Sequence, residues 1–369
     1  MRRRTFLLGT VAMAAPPPDP QDDWQGIRRI VAVGDVHGDK DAFVAVLKMA
    51  RVIDEDERWI AEATHLVQVG DVPGRGPQTR QAYDLMMRLE KEAASAGGKF
   101  HALIGNHDAG VIYGDLRNTH PDEYGAFRAP DSEVRLQEAL EAELEARRKR
   151  STVPPTAADT EGAKTQWLAE HSPGFVEHRE AFGPSGPYGS WIRGHNSIIR
   201  INDTLYLHGG ISPKYVARGR TALNNSIRRE LADPERLLPG VVTDPEGPLR
   251  YRGLVEEAGP ALEPHLLRVL RFHGVRRMVI GHTVTQTAIR PLFGGRVVNI
   301  DIGLSRFYGR PPACLVLESG GVHVLHRGTS IPLPGPGRAA ELAYLRAVEA
   351  ADVQPSPVTK LIETLQGAK

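Results

Sequence analysis

The sequence predicts an α/β fold in which two sheets pack face to face with helices outside. Three observations predict it: short apolar runs alternate with helical stretches in the first third of the chain, the second half is rich in strand-like runs, and polar side chains follow the runs directly. Residues 27–33 form a short apolar run ending at Gly34, the pattern of a buried strand. Residues 44–50 read as helical. Residues 65–69 are a second strand before Gly70-Asp71, 78–96 an amphipathic helix, and 100–104 a third strand before Gly105-Asn106. Strands alternating with helices argue for an α/β arrangement. Its ligands are expected in the crevice beyond the strand carboxyl ends.

The second half supplies strand-like runs at 197–207, 277–280, 288–292, 296–300, 313–317 and 322–326. Residues 115–190 depart from the pattern and read as a helical insertion. It holds a strongly charged helix at 132–150, a flexible link at 151–160 and a further helix at 163–175. The charge of 132–150 is that of a solvated helix face. Residues 15–26 are rich in proline and aspartate and read as a linker. The main domain is therefore expected over 27–330, with a helical tail over 331–369.

Apolar content of 41% and charged content of 25% fit a soluble globular protein. Lys and Arg number 46 against 45 Asp and Glu, so no global field attracts nucleic acid or a membrane surface, and the substrate must be recognised locally. The N-terminus carries Arg2-Arg3-Arg4, a short apolar stretch and Ala12-Met13-Ala14, the pattern of a twin-arginine export signal over residues 1–14. Its apolar run is far shorter than the ~20 residues a membrane span needs. A periplasmic or secreted enzyme without stable membrane insertion is expected. Cys314 is the only cysteine, which excludes an internal disulfide; it sits in an apolar run and reads as a core residue.

Five short motifs carry the chemistry. They are Gly34-Asp35-Val36-His37-Gly38, Gly70-Asp71, Gly105-Asn106-His107-Asp108, Leu207-His208-Gly209-Gly210 and Ile280-Gly281-His282. Singly each is weak, because glycine and aspartate are ordinary turn formers. Together, in order and after strands, they offer Asp35, His37, Asp71, Asn106, His208 and His282 as ligands, with His107 left as a proton donor. That is enough for two metal ions sharing one carboxylate, a device for hydrolysing phosphate esters. Oxygen ligands mixed with imidazoles suit manganese, iron or zinc better than calcium.

This set resembles the calcineurin-like metallophosphoesterases, and within them the phosphoprotein phosphatases. More closely it resembles their bacterial branch, the Shewanella-like phosphatases. That last resemblance rests on Gly186-Pro187-Tyr188-Gly189-Ser190-Trp191, on Asp203-Thr204-Leu205-Tyr206-Leu207-His208-Gly209-Gly210-Ile211-Ser212-Pro213, on Tyr251-Arg252-Gly253, and on the runs at 277–283 and 300–303. The resemblance implies a two-sheet αββα sandwich. It places Asp35, His37 and Asp71 on a first metal and Asp71, Asn106, His208 and His282 on a second, with a bridging hydroxide as nucleophile. It makes Arg75 and Arg252 clamps on phosphate oxygens, with Asn106 also facing the substrate, and His107 the general acid, with Asp108 beside it as a further catalytic candidate. The implied substrates are phosphorylated proteins or small phosphoesters.

One departure stands out. Where phosphoprotein phosphatases place an aspartate to orient the histidine, this chain has Gly74. Acid catalysis by His107 should weaken, which favours leaving groups needing little help, such as a phenol with a pKa near ~10. A preference for aryl phosphates such as phosphotyrosine is therefore expected. Symmetrical dinucleoside tetraphosphatases also lack that aspartate and carry similar Arg-Gly-Pro and Gly-Asn-His-Asp runs, here Arg75-Gly76-Pro77 and 105–108, so nucleotide hydrolysis is the rival reading. A metal-bound binding protein without turnover is a third.

Overall fold

Strands form where the apolar runs lie, with ends shifted by up to three residues, in a computed structural model that describes residues 20–152, 155–183, 185–233, 237, 239–285, 288–309 and 311–367. The expected export signal, residues 1–14, lies outside the described residues. Among the described residues no helix is long and apolar enough to cross a membrane.

The first half runs β1 (Asp23–Trp24), β2 (Ile30–Val33), α1 (Lys40–Met49), β3 (His65–Gln68), α2 (Thr79–Ser95), β4 (Lys99–Ala102) and α3 (Asn106–Tyr113). Asp39 caps α1 by accepting from the Ala42 amide, so this helix starts earlier than its apolar residues suggested. The insertion follows as α4 (Ser132–Arg150), α5 (Ala157–Glu170), α6 (Phe175–Phe182) and α7 (Pro187–Arg193). Thr156 caps α5 where a flexible link was expected, with Asp159 completing a capping box.

The run at 197–207 is not one strand. It folds as a hairpin, β5 (Ile198–Ile201) and β6 (Thr204–Leu207), turning at Asn202 with φ 54°. Then come α8 (Arg220–Ala232), α9 (Gly253–Glu256), α10 (Glu263–His273), β7 (Arg277–Ile280), β8 (Arg290–Leu292), β9 (Val297–Asn299), β10 (Ala313–Glu318), β11 (Gly321–His326), β12 (Thr329–Pro332), α11 (Arg338–Ala351) and α12 (Thr359–Gly367). The limit expected at 330 falls inside β12, which pairs with β11 and so belongs to the sheet.

Two six-stranded sheets result, in the orders β12-β11-β10-β2-β3-β4 and β1-β5-β6-β7-β9-β8. Strand alternation sorts the side chains. Ile30, Ala32, Val67 and Val69 of one sheet meet Ile199, Tyr206, Val279 and Val298 of the other in one apolar cluster. Val31, Val33 and Leu66 face the opposite way, onto Phe43 and Leu47 of α1 and Met86 and Leu89 of α2. Burying each such side chain contributes roughly 1.5–3 kcal/mol. The result is helix, sheet, sheet, helix. Within it β2, β3 and β4 are mutually parallel, and so are β6, β7 and β9. Six strand ends, three from each sheet, therefore open onto one crevice.

Candidate active site

Each parallel strand delivers one part of the site just past its end: Asp35 and His37 after β2, Asp71 after β3, Asn106 and His107 after β4, His208 after β6, His282 after β7 and Asp301 after β9. Asp71 lies at the centre. His208 Nε2 is 3.2 Å from its Oδ1 and His107 Nε2 is 3.7 Å from its Oδ2. His37, Asp71 and His107 offer ligand atoms within 4.8 Å of one another, and so do Asp71, His208 and His282. The two groups share Asp71. Asn106 Oδ1 joins the second, 3.1 Å from His208 Nε2.

Asp35 lies outside both of these groups. His107 rather than Asp35 falls in with His37 and Asp71. Both Asp35 oxygens accept from the His282 amide, at 3.3 and 3.2 Å, while its Oδ2 stays 3.8 Å from His37 Nε2. This carboxylate thus ties the β2 loop of one sheet to the β7 loop of the other.

The imidazoles are oriented by backbone. Val69 O faces His208 Nδ1 at 3.0 Å and Arg250 O faces His282 Nε2 at 3.1 Å, leaving the opposite nitrogen of each ring for a ligand. Glycine beside each ligand has a steric cause. A Cβ on Gly105 would strike Asp71 Oδ1, and one on Gly281 would strike Asp35 Oδ1. The carboxylates lie against bare backbone.

The electrostatics fit divalent cations. Burial, with Asp301 and Asp71 nearby, holds the Asp35 carboxyl well above the usual carboxylate range. Burial pushes the imidazoles of His37 and His282 down to about 3 and about 2, so both are neutral lone-pair donors. Burial also lowers His208, but Asp71 outweighs it and raises that ring. Clustered buried carboxylates with neutral imidazoles call for positive charge.

His107 and Asp108 part company. The His107 amide donates to Asp71 Oδ1 at 2.7 Å, and its ring lies 4.8 Å from that of His37. Gly74 has φ 87°, and a Cβ there would sit 2.7 Å from His107 Nδ1. The ring fills the space an orienting side chain would need. Asp108 offers no replacement. Its oxygens accept from the amides of Asp71 and Gly105 at 2.7 Å, the Val72 amide at 3.2 Å and the Tyr83 hydroxyl at 2.5 Å, and no ion pair joins it to His107. A catalytic part for Asp108 does not fit this geometry: its lone pairs are spent holding the Asp71 loop against α3.

The two arginines flank the cluster. Arg252 donates to the His282 carbonyl at 2.7 Å, which braces that ligand turn. Arg75 has φ 69°, and its buried Nε has no hydrogen-bond partner. Cys314 is fully buried in β10, its thiol pushed up to about 12 by burial, which removes it from any nucleophilic role.

The family model of the calcineurin-like phosphoesterases matches residues 28–286, which spans all six expected ligands. The chain belongs to that family. The phosphoesterase is 26% identical over 349 residues to Shewanella-like protein phosphatase 2 of Arabidopsis thaliana, covering 89% of this chain and 86% of that one. It is 27% identical over 319 residues to an uncharacterised protein of Schizosaccharomyces pombe, covering 82% of each. Its fold matches the crystal structure of a cold-active protein-tyrosine phosphatase of a psychrophilic Shewanella species with a TM-score of 0.64 at 28% identity, covering 84% of this chain and 81% of that one. The protein is a metal-dependent phosphatase, with an αββα architecture as the motifs implied.

Asp301 is the residue that motif reading passed over. It is fully buried, its Oδ1 accepts from Gly303 N–H at 3.0 Å, and its Oδ2 has no hydrogen-bond partner. Burial pushes its carboxyl up to about 6. Its signal was present, since it follows a strand and precedes a nearby glycine as the expected ligands do. Tyr83 carried no such signal: it is one aromatic among the apolar residues of α2.

Proposed function

We propose that the phosphatase hydrolyses phosphate monoesters at a dinuclear metal centre and prefers aryl esters such as phosphotyrosine. The observation that carries this reading is the packing of His107 Nδ1 on Gly74, which has no side chain to orient the ring, while the carboxylate that His107 meets is Asp71 at its Nε2. Asp35, His37 and Asp71 would hold one ion and Asp71, Asn106, His208 and His282 the other, manganese, iron or zinc suiting the donors. Bound there, the two ions would activate water for attack on phosphorus and neutralise the phosphoryl oxygens. Arg75 presents a guanidinium with an unused donor, suited to a phosphate oxygen. Arg252 would contribute from the His282 side.

As the phosphorus–oxygen bond breaks, the departing oxygen must take up a proton or leave as an anion. His107 can donate one, yet Gly74 offers no side chain to orient its ring from the Nδ1 side. A phenolate leaves without that proton far more readily than an alkoxide. Likeness to a protein-tyrosine phosphatase supports the same preference. Matched phosphotyrosine and phosphoserine peptides, diadenosine tetraphosphate and a phosphodiester should be compared for phosphate release with manganese. Faster turnover of phosphotyrosine is expected. Equal turnover of the two peptides, or faster cleavage of the tetraphosphate, would overturn the reading. Export through residues 1–14 is proposed on the paired arginines, and accumulation of the full-length protein in the cytoplasm would count against it.

A further inference from the structure

The ligand set leaves Arg75 and the loop above it unexplained. The Arg75 guanidinium lies 5.0 Å from the ring centre of Phe307 and 5.5 Å from that of Tyr308. These two rings meet edge to face at 5.0 Å, and the Tyr308 ring lies 5.8 Å from that of His37. The aromatic pair therefore begins at a metal-ligand histidine and passes over the phosphate-facing arginine. Tyr308 is half-buried, but Phe307 is 60% exposed.

The loop is fastened in that position. The Arg306 amide donates to Asp39 Oδ2 at 2.7 Å, and the Arg306 guanidinium pairs with Asp41 in the first turn of α1. Gly303, with φ 71°, lets Tyr308 press against the backbone, where a Cβ would lie 2.7 Å from Tyr308 Cβ. A large apolar ring fixed in solvent beside an anion-binding guanidinium gains little from the fold. It gains from an apolar ligand group attached to an anion.

We propose that Phe307 and Tyr308 form a wall on which the aryl ring of the substrate packs while Arg75 holds its phosphate. This rests on the aryl-ester reading above, but it is a statement about binding, whereas that reading concerns turnover. The wall also stiffens Arg75 from behind, so ring and phosphate are gripped by one unit.

The test is binding of two inert anions, phenylphosphonate and methylphosphonate, to the manganese-loaded full chain by calorimetry. The phenyl compound is expected to bind about tenfold tighter, as one edge or face contact with two aromatic rings allows. Phe307→Ala should cut that ratio about fivefold, and Phe307→Trp should keep it. If Phe307 only props Arg75, both affinities fall together and the ratio stays, which overturns the wall. A wild-type ratio near one overturns it as well. A high ratio that depends on Phe307, found with equal turnover of phosphotyrosine and phosphoserine, would sustain the wall and remove only the leaving-group preference.

Discussion

The floor of the site and its rim are built differently. The expected floor ligands Asp35, His37, Asp71, His208 and His282 are at most 7% exposed, and each hangs from the end of a parallel strand with a glycine beside it. The rim residues Arg75, Phe307 and Tyr308 sit on loops, meet through ring and guanidinium faces, and reach 60% exposure at Phe307. The floor fixes what chemistry is possible, because its donors converge from both sheets and the glycines beside them leave no room for a Cβ. On the proposed reading, the rim and His107 would select which ester is cleaved. Damage to the floor should abolish reaction; damage to the rim should change preference.

The largest effect is expected at the shared ligand. Asp71→Asn should lower phosphate release at least about a thousandfold, since several kcal/mol of charge stabilisation depend on the ions. Retained activity would show that the two groups need no common carboxylate. Next, Arg75→Ala should lower kcat/KM about 10- to 100-fold, the range for losing a charge-assisted hydrogen bond. A loss as deep as that of Asp71→Asn would erase the distinction between rim and floor. Gly74→Asp should fail to raise phosphoserine turnover and should lower activity about tenfold, because the new Cβ overlaps His107 Nδ1 and overpacking costs about 1–3 kcal/mol. A gain on phosphoserine would mean the ring can move to accept its partner.

A last effect, on stability and not on turnover, concerns Asp301 in metal-depleted protein. Its folded carboxyl is pushed up to about 6 from an ordinary value of 3.8, so the folded state binds the extra proton between those values. Stability is therefore lost as pH rises through that window, and Asp301→Asn should remove the loss. Thermal melts of the metal-depleted variant should match wild type below pH 4 and exceed it above pH 6, by up to about 3 kcal/mol. Equal stability at high pH would mean that Asp301 does not feel its buried surroundings.

The same contrast explains what could be read from sequence. Floor residues follow apolar runs and neighbour glycines, because a buried strand end and a close backbone approach each leave a local mark. Six candidate ligands and the two-sheet layering came from those marks, and Asp301 carries a weaker copy of them. Relations across the chain leave no such mark. Nothing local tells that Asp108 spends its oxygens on the amides of Asp71, Val72 and Gly105, or that Asp35 leans to His282. The Phe307-Tyr308 pair has neither period nor motif, and its meaning arises only once Arg75 lies beneath it. The hairpin at Asn202 was hidden by apolar residues on both sides of its turn.

Metal content of purified, manganese-reconstituted protein bears most directly on the shared carboxylate. Elemental analysis should find two ions per chain in the wild type and fewer than two in Asp71→Asn. One ion in the wild type, or two retained by the variant, would contradict a centre built around Asp71.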